Sequence, residues 1–202
     1  MSSGSSMLSG IHPASAERWP DLERLFGERG AYAGCWCMFW RLERPAFKQQ
    51  KGEGTKARLK AMLESGQMPG LIAYAEQQPV GWCAIGPREH FVALDRSRIL
   101  KRIDAEPVWS IACFFIARPY RQHGLMAPLL AAGVAYAREQ GARIVEGYPL
   151  DLESPLLAGQ HLTSYSGYMG LASVFRGVGF VEVGRASETQ LIMRFTTTTG
   201  ER

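Results

Sequence analysis

The sequence contains no apolar run as long as a membrane span and no N-terminal pattern typical of a signal peptide. Its 23 basic and 19 acidic side chains are interleaved, so no block of one sign favours nucleic-acid binding. These absences predict a cytoplasmic protein with no membrane association and no specific nucleic-acid partner. The net charge of +4 is compatible with an anionic ligand, for which a diphosphate would suffice.

Cysteine is sparse and lacks the paired spacing of a zinc site. The four residues, Cys35, Cys37, Cys83 and Cys113, include no CxxC pair, so no metal site is predicted. In an extended segment, Cys35 and Cys37 would place both sulfurs on one face, which leaves thiol or metal chemistry open. The favoured interpretation is that the cysteines are small buried apolar residues in a reducing compartment.

The sequence also lacks internal repeats and any shift of composition that would mark a second domain. At 46% apolar residues the chain can form a sizeable core. We therefore predict one domain over residues 11–196, preceded by a flexible leader at 1–10 and followed by a tail at 197–202.

Local patterns predict several elements before the centre of the chain. A helix should begin at Trp19 and end at Gly27, and a second should be capped by Thr55 and end before Gly66. Apolar runs at 71–75 and 80–85 flank a short polar break, which predicts an antiparallel hairpin. A third helix is predicted from apolar residues at helical spacing, Leu94, Ile99, Leu100 and Ile103. Its opposite side is basic and is interpreted mainly as solvated, with an acidic substrate or cofactor phosphates as the alternative.

The centre of the chain has the order strand, loop, helix, strand. Residues 108–116 form a buried strand, 125–140 an amphipathic helix and 143–148 a further strand. This order is a βαβ unit, so the two strands should be parallel. A long loop at 151–166, a short helix near 169–176 and a final strand pair at 180–183 and 190–195 complete the prediction.

The loop between this strand and helix has the features of a pyrophosphate site. It leaves the carboxyl end of a strand and opens a helix whose first amides have no intrahelical partner. Gly124 allows a close approach of phosphate oxygens, and Arg121 supplies a positive charge.

At these residues the sequence resembles the GNAT superfamily of acyl-CoA-dependent N-acetyltransferases, whose signature is Arg/Gln-x-x-Gly-x-Gly/Ala. The matching stretch is Arg121, Gln122, His123, Gly124, Leu125 and Met126, preceded by Tyr120. The hairpin LIAYAEQQPVGWCAI, the strand ARIVEGYP and the turn FRGVGF extend the resemblance over roughly residues 70–195. It implies an α+β fold: one domain with a mixed, mostly antiparallel sheet and a central parallel strand pair flanked by helices.

The resemblance also implies the activity and the cosubstrate. Acetyl-CoA would bind with its diphosphate on the loop, from Arg121 to Ala127, and its pantetheine arm along Phe114, Phe115 and Ile116. The acetyl group would pass to a primary amine by direct attack in a ternary complex. Three residues depart from the family pattern. Met126 replaces a small residue, Pro128 lies near the first helical turn, and Phe175 stands where many members have a tyrosine that acts as the general acid.

Acid and base residues are less well defined. Glu146 is the one carboxylate in the central parallel strands, and apolar neighbours would raise its pKa towards that of a useful base; a solvated strand glutamate is the alternative. Tyr168 is predicted to protonate the leaving thiolate, with Ser173 a second candidate. His123 is expected beside the diphosphate, whereas His90 and His161 are expected at the surface.

The segment CWCMFW, residues 35–40, precedes the region of resemblance. In the family this region shapes the acceptor pocket, so Trp36, Phe39 and Trp40 would form an aromatic wall. Core packing or a homodimer interface would explain these aromatics equally well. The acceptor amine itself is not defined by the sequence, and a non-catalytic acyl-CoA-binding regulatory module is the alternative function.

Overall fold

One seven-stranded sheet organises the computed structural model, which describes residues 7–157 and 167–197. The strand order is β1-β2-β3-β4-β5-β7-β6. The strands are β1 Gly10–Pro13, β2 Gly70–Ala75, β3 Gln78–Pro87, β4 Trp109–Ile116, β5 Ile144–Gly147, β6 Val181–Ser187 and β7 Gln190–Thr196. The helices are α1 Trp19–Phe26, α2 Arg44–Gln50, α3 Glu53–Glu64, α4 Val92–Asp95, α5 Met126–Glu139 and α6 Ala172–Val178.

The predicted βαβ unit is confirmed. Strands β4 and β5 pair in parallel from Trp109 opposite Val145 to Ile111 opposite Gly147, and α5 connects them. All other strand pairs within the described residues are antiparallel. The expected α+β class, with a central parallel pair in a mostly antiparallel sheet, is therefore confirmed.

Each face of the sheet carries its own apolar core. One core joins the sheet to α1 and α3 through residues such as Leu22, Leu59 and Trp82. The other joins it to α5 and α6 through Leu129 and Phe175, among others. Since β4 contributes Ala112 and Phe115 to the first core and Ile111 and Phe114 to the second, it lies between the two layers.

The helix predicted over 94–103 is wrong. A single helical turn, α4, is followed by an irregular segment in which Ile99 is 67% exposed. The buried guanidinium of Arg88 donates to the carbonyls of Leu94, at 3.3 Å, and Leu100, at 2.5 Å. The Oγ of Ser97 accepts from the amides of Ile99 and Leu100. Because side chains occupy these backbone groups, helical hydrogen bonds do not form there.

Several boundaries also differ from the predictions. Helix α3 begins at Glu53 rather than after Thr55, whose hydroxyl accepts from the Gly52 amide at 3.1 Å. Strand β1 and helix α2 were not predicted at all, and β1 begins at Gly10, inside the expected leader. At the other end, the amide of Thr197 donates to the carbonyl of Arg143 at 2.9 Å. Residues 1–6, 158–166 and 198–202, including His161 and most of the predicted long loop, lie outside the described residues.

The longest helix, α5, has 14 residues, whereas a helix that crosses a bilayer needs about 20 apolar ones. In the parts of the chain that the structure describes, no helix meets that requirement.

Candidate active site

The parallel pairing of β4 and β5 stops halfway along β4. Strand β5 ends at Gly147, opposite Ile111, but β4 continues to Ile116. Ala112 has no partner on β3, because Ile111 lies opposite Ile85 and Cys113 opposite Ala84. This extra residue is a β-bulge, which bends a strand and increases its twist. The edge of β4 from Ala112 onwards therefore diverges from β5 and opens a gap in the sheet.

A cavity of about 630 Å³ lies at this gap, on the face covered by α1 to α3. Its wall includes Ala112 and Cys113 of β4, and its aromatic side chains are Tyr32, Phe39, Trp40, Phe47 and Tyr168. The expected aromatic wall is thus present for Phe39 and Trp40. Trp36 instead packs in the core, stacked on Trp19 with ring centroids 5.7 Å apart.

The segment 35–40 is a series of turns rather than a strand. Trp36 and Cys37 both have left-handed backbones, with φ of 44° and 53°. This conformation is uncommon for residues with a side chain. Gly30 makes it possible, because an added Cβ there would lie 2.3 Å from Nε1 of Trp36. Both Cys35 and Cys37 line the cavity, although the segment is not extended.

Three of the four cysteines line the cavity: Cys35, Cys37 and Cys113. The Cys113 thiol donates to the Phe114 carbonyl at 3.7 Å. Its side-chain interaction with Cys37 raises the pKa of Cys113 and lowers that of the Cys37 sulfur. Nε1 of Trp82 donates to the same sulfur at 2.9 Å. Burial raises the pKa of the Cys35 thiol to about 12. Cys37 is buried in the core on this face of the sheet, and Cys83 is buried in the opposite core, as expected.

On the other side of the gap lies the predicted phosphate loop. Gln122 and Gly124 have φ of 65° and 74°, and both are exposed. Within the described residues, the amides from Gln122 to Met126 make no hydrogen bond, whereas that of Ala127 donates to the carbonyl of Gly124 at 3.3 Å. Five consecutive amides before and at the start of α5 are thus available to an anion.

The departures from the family pattern are compatible with this loop. Met126 is half-buried and packs against the core beneath α5, so its side chain is not free in the loop. Leu125 is buried in the same core, and His123 is exposed. Pro128 is the third residue of α5. Since the first four amides of a helix have no intrahelical acceptor, this proline removes no helical hydrogen bond.

Two contacts occupy the open edge of β4. The amide of Phe114 donates to the carbonyl of Tyr168 at 2.6 Å, and Nε of Arg121 donates to the carbonyl of Ile116 at 2.9 Å. Both β4 groups lie where a pantetheine arm was expected to pair. Binding along this edge would therefore require the Tyr168 carbonyl and the Arg121 side chain to give up these contacts.

Glu146 does not have the apolar surroundings predicted for it, nor is it solvated. It is fully buried, and its Oε1 accepts from Nη1 of Arg88 at 2.6 Å and from the hydroxyl of Tyr148 at 2.8 Å. Its Oε2 accepts from Nε of Arg194 at 2.7 Å. Glu146 is not part of the cavity wall. This geometry suits an internal anchor between β3, β5 and β7 better than a base.

The candidate acids Tyr168 and Ser173 differ in position, and so does Phe175, which occupies the place of the family's usual tyrosine. Tyr168 lines the cavity, in a turn that precedes α6 rather than on the helix, and burial is the main cause that raises the pKa of its hydroxyl. Phe175 is fully buried against Phe114 and Phe180. Ser173 lies on α6, which the cavity wall does not include.

Comparison with known proteins identifies this arrangement. The fold is that of an acetyltransferase, and a family model described as "Acetyltransferase (GNAT) family" matches residues 36–148. Because that match spans more than half of the sequence, the chain belongs to this family. It is an acyl-CoA-dependent N-acetyltransferase, with acetyl-CoA as its cosubstrate.

Solved structures share the fold at low sequence identity. A GNAT-family acetyltransferase from Listeria monocytogenes has a TM-score of 0.53 at 9% identity, covering 93% of this chain and 94% of that one. The PaiA N-acetyltransferase from Thermoplasma acidophilum, solved with coenzyme A, has a TM-score of 0.51 at 14% identity, covering 93% and 98%. An HPA2-related acetyltransferase from Corynebacterium glutamicum has a TM-score of 0.52 at 15% identity, covering 95% of this chain and 98% of that one. No curated protein matches this chain in sequence.

The loop assignment predicts the effect of Gly124→Glu. A carboxylate beside the diphosphate introduces like-charge repulsion of several kcal/mol, so affinity for CoA should fall by at least about 100-fold in calorimetry. Gly141→Glu is a matched control, because Gly141 also has a left-handed φ, of 84°, and open space around it. Equal CoA affinity in the two variants would place the diphosphate elsewhere.

The anchor assignment predicts that Glu146→Gln destabilises the protein. Removing one charge from a buried, paired cluster costs about 3–5 kcal/mol of unfolding free energy. The surface control Glu182→Gln, which breaks an exposed pair with Arg185, should cost about 0–1 kcal/mol. Denaturant unfolding measures both. Unchanged stability with a large loss of kcat in Glu146→Gln would instead restore Glu146 as the base.

Proposed function

We propose that this protein transfers the acetyl group of acetyl-CoA to a primary amine, by direct attack of the amine in a ternary complex. One observation carries the proposal: the gap beside β4 has the phosphate loop on one side and the aromatic cavity on the other. A thioester at the gap and an amine in the cavity would meet with no covalent enzyme intermediate.

The reaction balances without a protein nucleophile. The neutral amine attacks the thioester carbonyl, the C–N bond forms, and the C–S bond breaks with loss of the CoA thiolate. The amine loses one proton and the thiolate gains one. Among the described residues no aspartate or glutamate lines the cavity, so we propose that water accepts the amine proton.

Tyr168 is the proposed acid for the thiolate. Its ring lines the cavity and its carbonyl contacts β4 at Phe114, at the edge of the gap. Burial raises its pKa above the ordinary value of 10, so the hydroxyl keeps its proton at neutral pH and is present as a donor when the thiolate forms. The thiolate is a fairly stable anion, with a thiol pKa near 8.5, so protonation by water is the alternative.

Tyr168→Phe tests this role. The substitution removes the hydroxyl alone and keeps the ring and the backbone, so affinity for CoA should stay unchanged. If the hydroxyl donates the proton, kcat should fall by about 10²-fold or more, and the alkaline limb of the pH–rate profile should disappear. The control is Tyr32→Phe, a neighbouring cavity tyrosine whose ring lies 5.6 Å from that of Tyr168. Full activity in Tyr168→Phe would assign protonation to water.

A non-catalytic acyl-CoA-binding module is the second candidate. It is favoured by the phenylalanine at position 175 and by the buried ion pairs of Glu146, which leave neither residue as an acid or base. Free CoA release measured against an amine library distinguishes the two functions. Amine-dependent release supports the transferase, whereas tight CoA binding with no release by any amine supports the module.

A further inference from the structure

We propose that the acceptor is a small amine that carries its own anionic group, such as a carboxylate, on an apolar body of aromatic size. The inference rests on the proposed function and specifies the substrate class of the same cavity. Its basis is the charge on the cavity wall: Arg44 and Lys51 line it, whereas no described aspartate or glutamate does.

The two cations lie at the two ends of helix α2. Arg44 and Phe47 are three residues apart and share the side of α2 that faces the cavity, and Lys51, the residue directly after the helix, also lines the cavity. Phe47 is buried, and both cations are exposed. A ligand at the mouth of the cavity would therefore meet two positive charges on either side of an apolar surface.

Neither cation is paired with a carboxylate in the part of the chain that the structure describes. Arg44 and Lys51 form no ion pair with any described carboxylate, whereas the neighbouring Glu43 pairs with Arg96. The Arg44 guanidinium lies over Phe39, with its Cζ 3.8 Å from the ring centroid, and over Trp40 at 5.2 Å. Stacking restricts the guanidinium but leaves its edge N–H groups for an anion.

The opposite end of the cavity suits the amine. Ala112 and Cys113 bring the wall to the gap where the thioester is proposed to lie, and the aromatic rings of Phe39 and Trp40 in the same wall lie under the Arg44 guanidinium. An acceptor oriented in this way places its amine at the gap and its anion at the mouth. Polyamines and other polycations fit poorly, since the wall offers no described carboxylate to a second ammonium group.

The test compares matched acceptors with and without the anion. Phenylalanine and phenethylamine share an aromatic body and an amine, as do tryptophan and tryptamine, and spermidine represents polycations. We expect kcat/KM, from free CoA release, to be at least about 10-fold higher for each amino acid than for its decarboxylated partner. Spermidine should be inactive, and added salt should reduce the preference. A preference for the decarboxylated amines or for spermidine would overturn the proposal and leave the acetyltransferase function intact.

Variants assign the preference to the cations. Arg44→Met and Lys51→Met should each raise KM for the anionic acceptor about 10-fold with little change in kcat, and Arg44→Lys should recover part of the loss. Lys48→Met is the matched control, because Lys48 carries the same charge on the exposed part of α2 but is not in the cavity wall. If Lys48→Met had an equal effect on KM, the preference would come from the overall positive charge of α2 and not from contacts in the cavity, which would contradict the proposed site.

A binding measurement covers the case in which none of these amines turns over. Calorimetry of the CoA-saturated protein compares N-acetylphenylalanine with N-acetylphenethylamine, which differ by the carboxylate alone. We expect the acid to bind at least about 10-fold more tightly, and Arg44→Met to abolish the difference. Equal affinities would overturn the proposal. Failure of CoA itself to bind would instead contradict the proposed function.

Discussion

The separation of β4 from β5 is the constraint on which the site depends. Three residue pairs hold the two strands in parallel, and the bulge at Ala112 then bends β4 away from the end of β5 at Gly147. A continuous ladder would pair the backbone of residues 112–116 within the sheet. Because the ladder stops, this edge connects the phosphate loop on one side of the sheet with the aromatic cavity on the other.

A buried ion cluster fixes the strands beneath the gap. Glu146 of β5 joins Arg88, which follows β3, to Arg194 of β7, and Arg194 extends the cluster to Asp104 at 2.6 Å. The carboxylate of Glu146 thereby has a structural place in the ion cluster. The charged side chains of the described cavity wall are the cations Arg44 and Lys51, which lie beside aromatic rings. Within the described residues the cavity wall offers no carboxylate base, which is consistent with the proposed direct attack assisted by water.

The sequence predicts those parts of the fold that local patterns determine. The apolar run of β4, the loop with Gly124 and the apolar stripe of α5 specify the βαβ unit. The position of this loop between strand and helix predicts that it binds phosphate. The environment of Glu146 could not be predicted, because Arg88 and Arg194 are 58 and 48 residues away in sequence. The same Arg88 explains the false helix over 94–103, where a distant side chain overrides local helical spacing. The shape of the cavity depends on the left-handed backbone conformations of Trp36 and Cys37. The residue types tryptophan and cysteine do not predict such conformations.

A crystal structure of the protein with bound CoA tests the central claim most directly. The account predicts the diphosphate on the amides of residues 122–126, the pantetheine arm along β4, and the sulfur at the gap beside Cys113. The contact between the Phe114 amide and the Tyr168 carbonyl should be replaced where the arm pairs with β4. A sulfur atom outside the gap between β4 and β5, with that contact intact, would contradict the account.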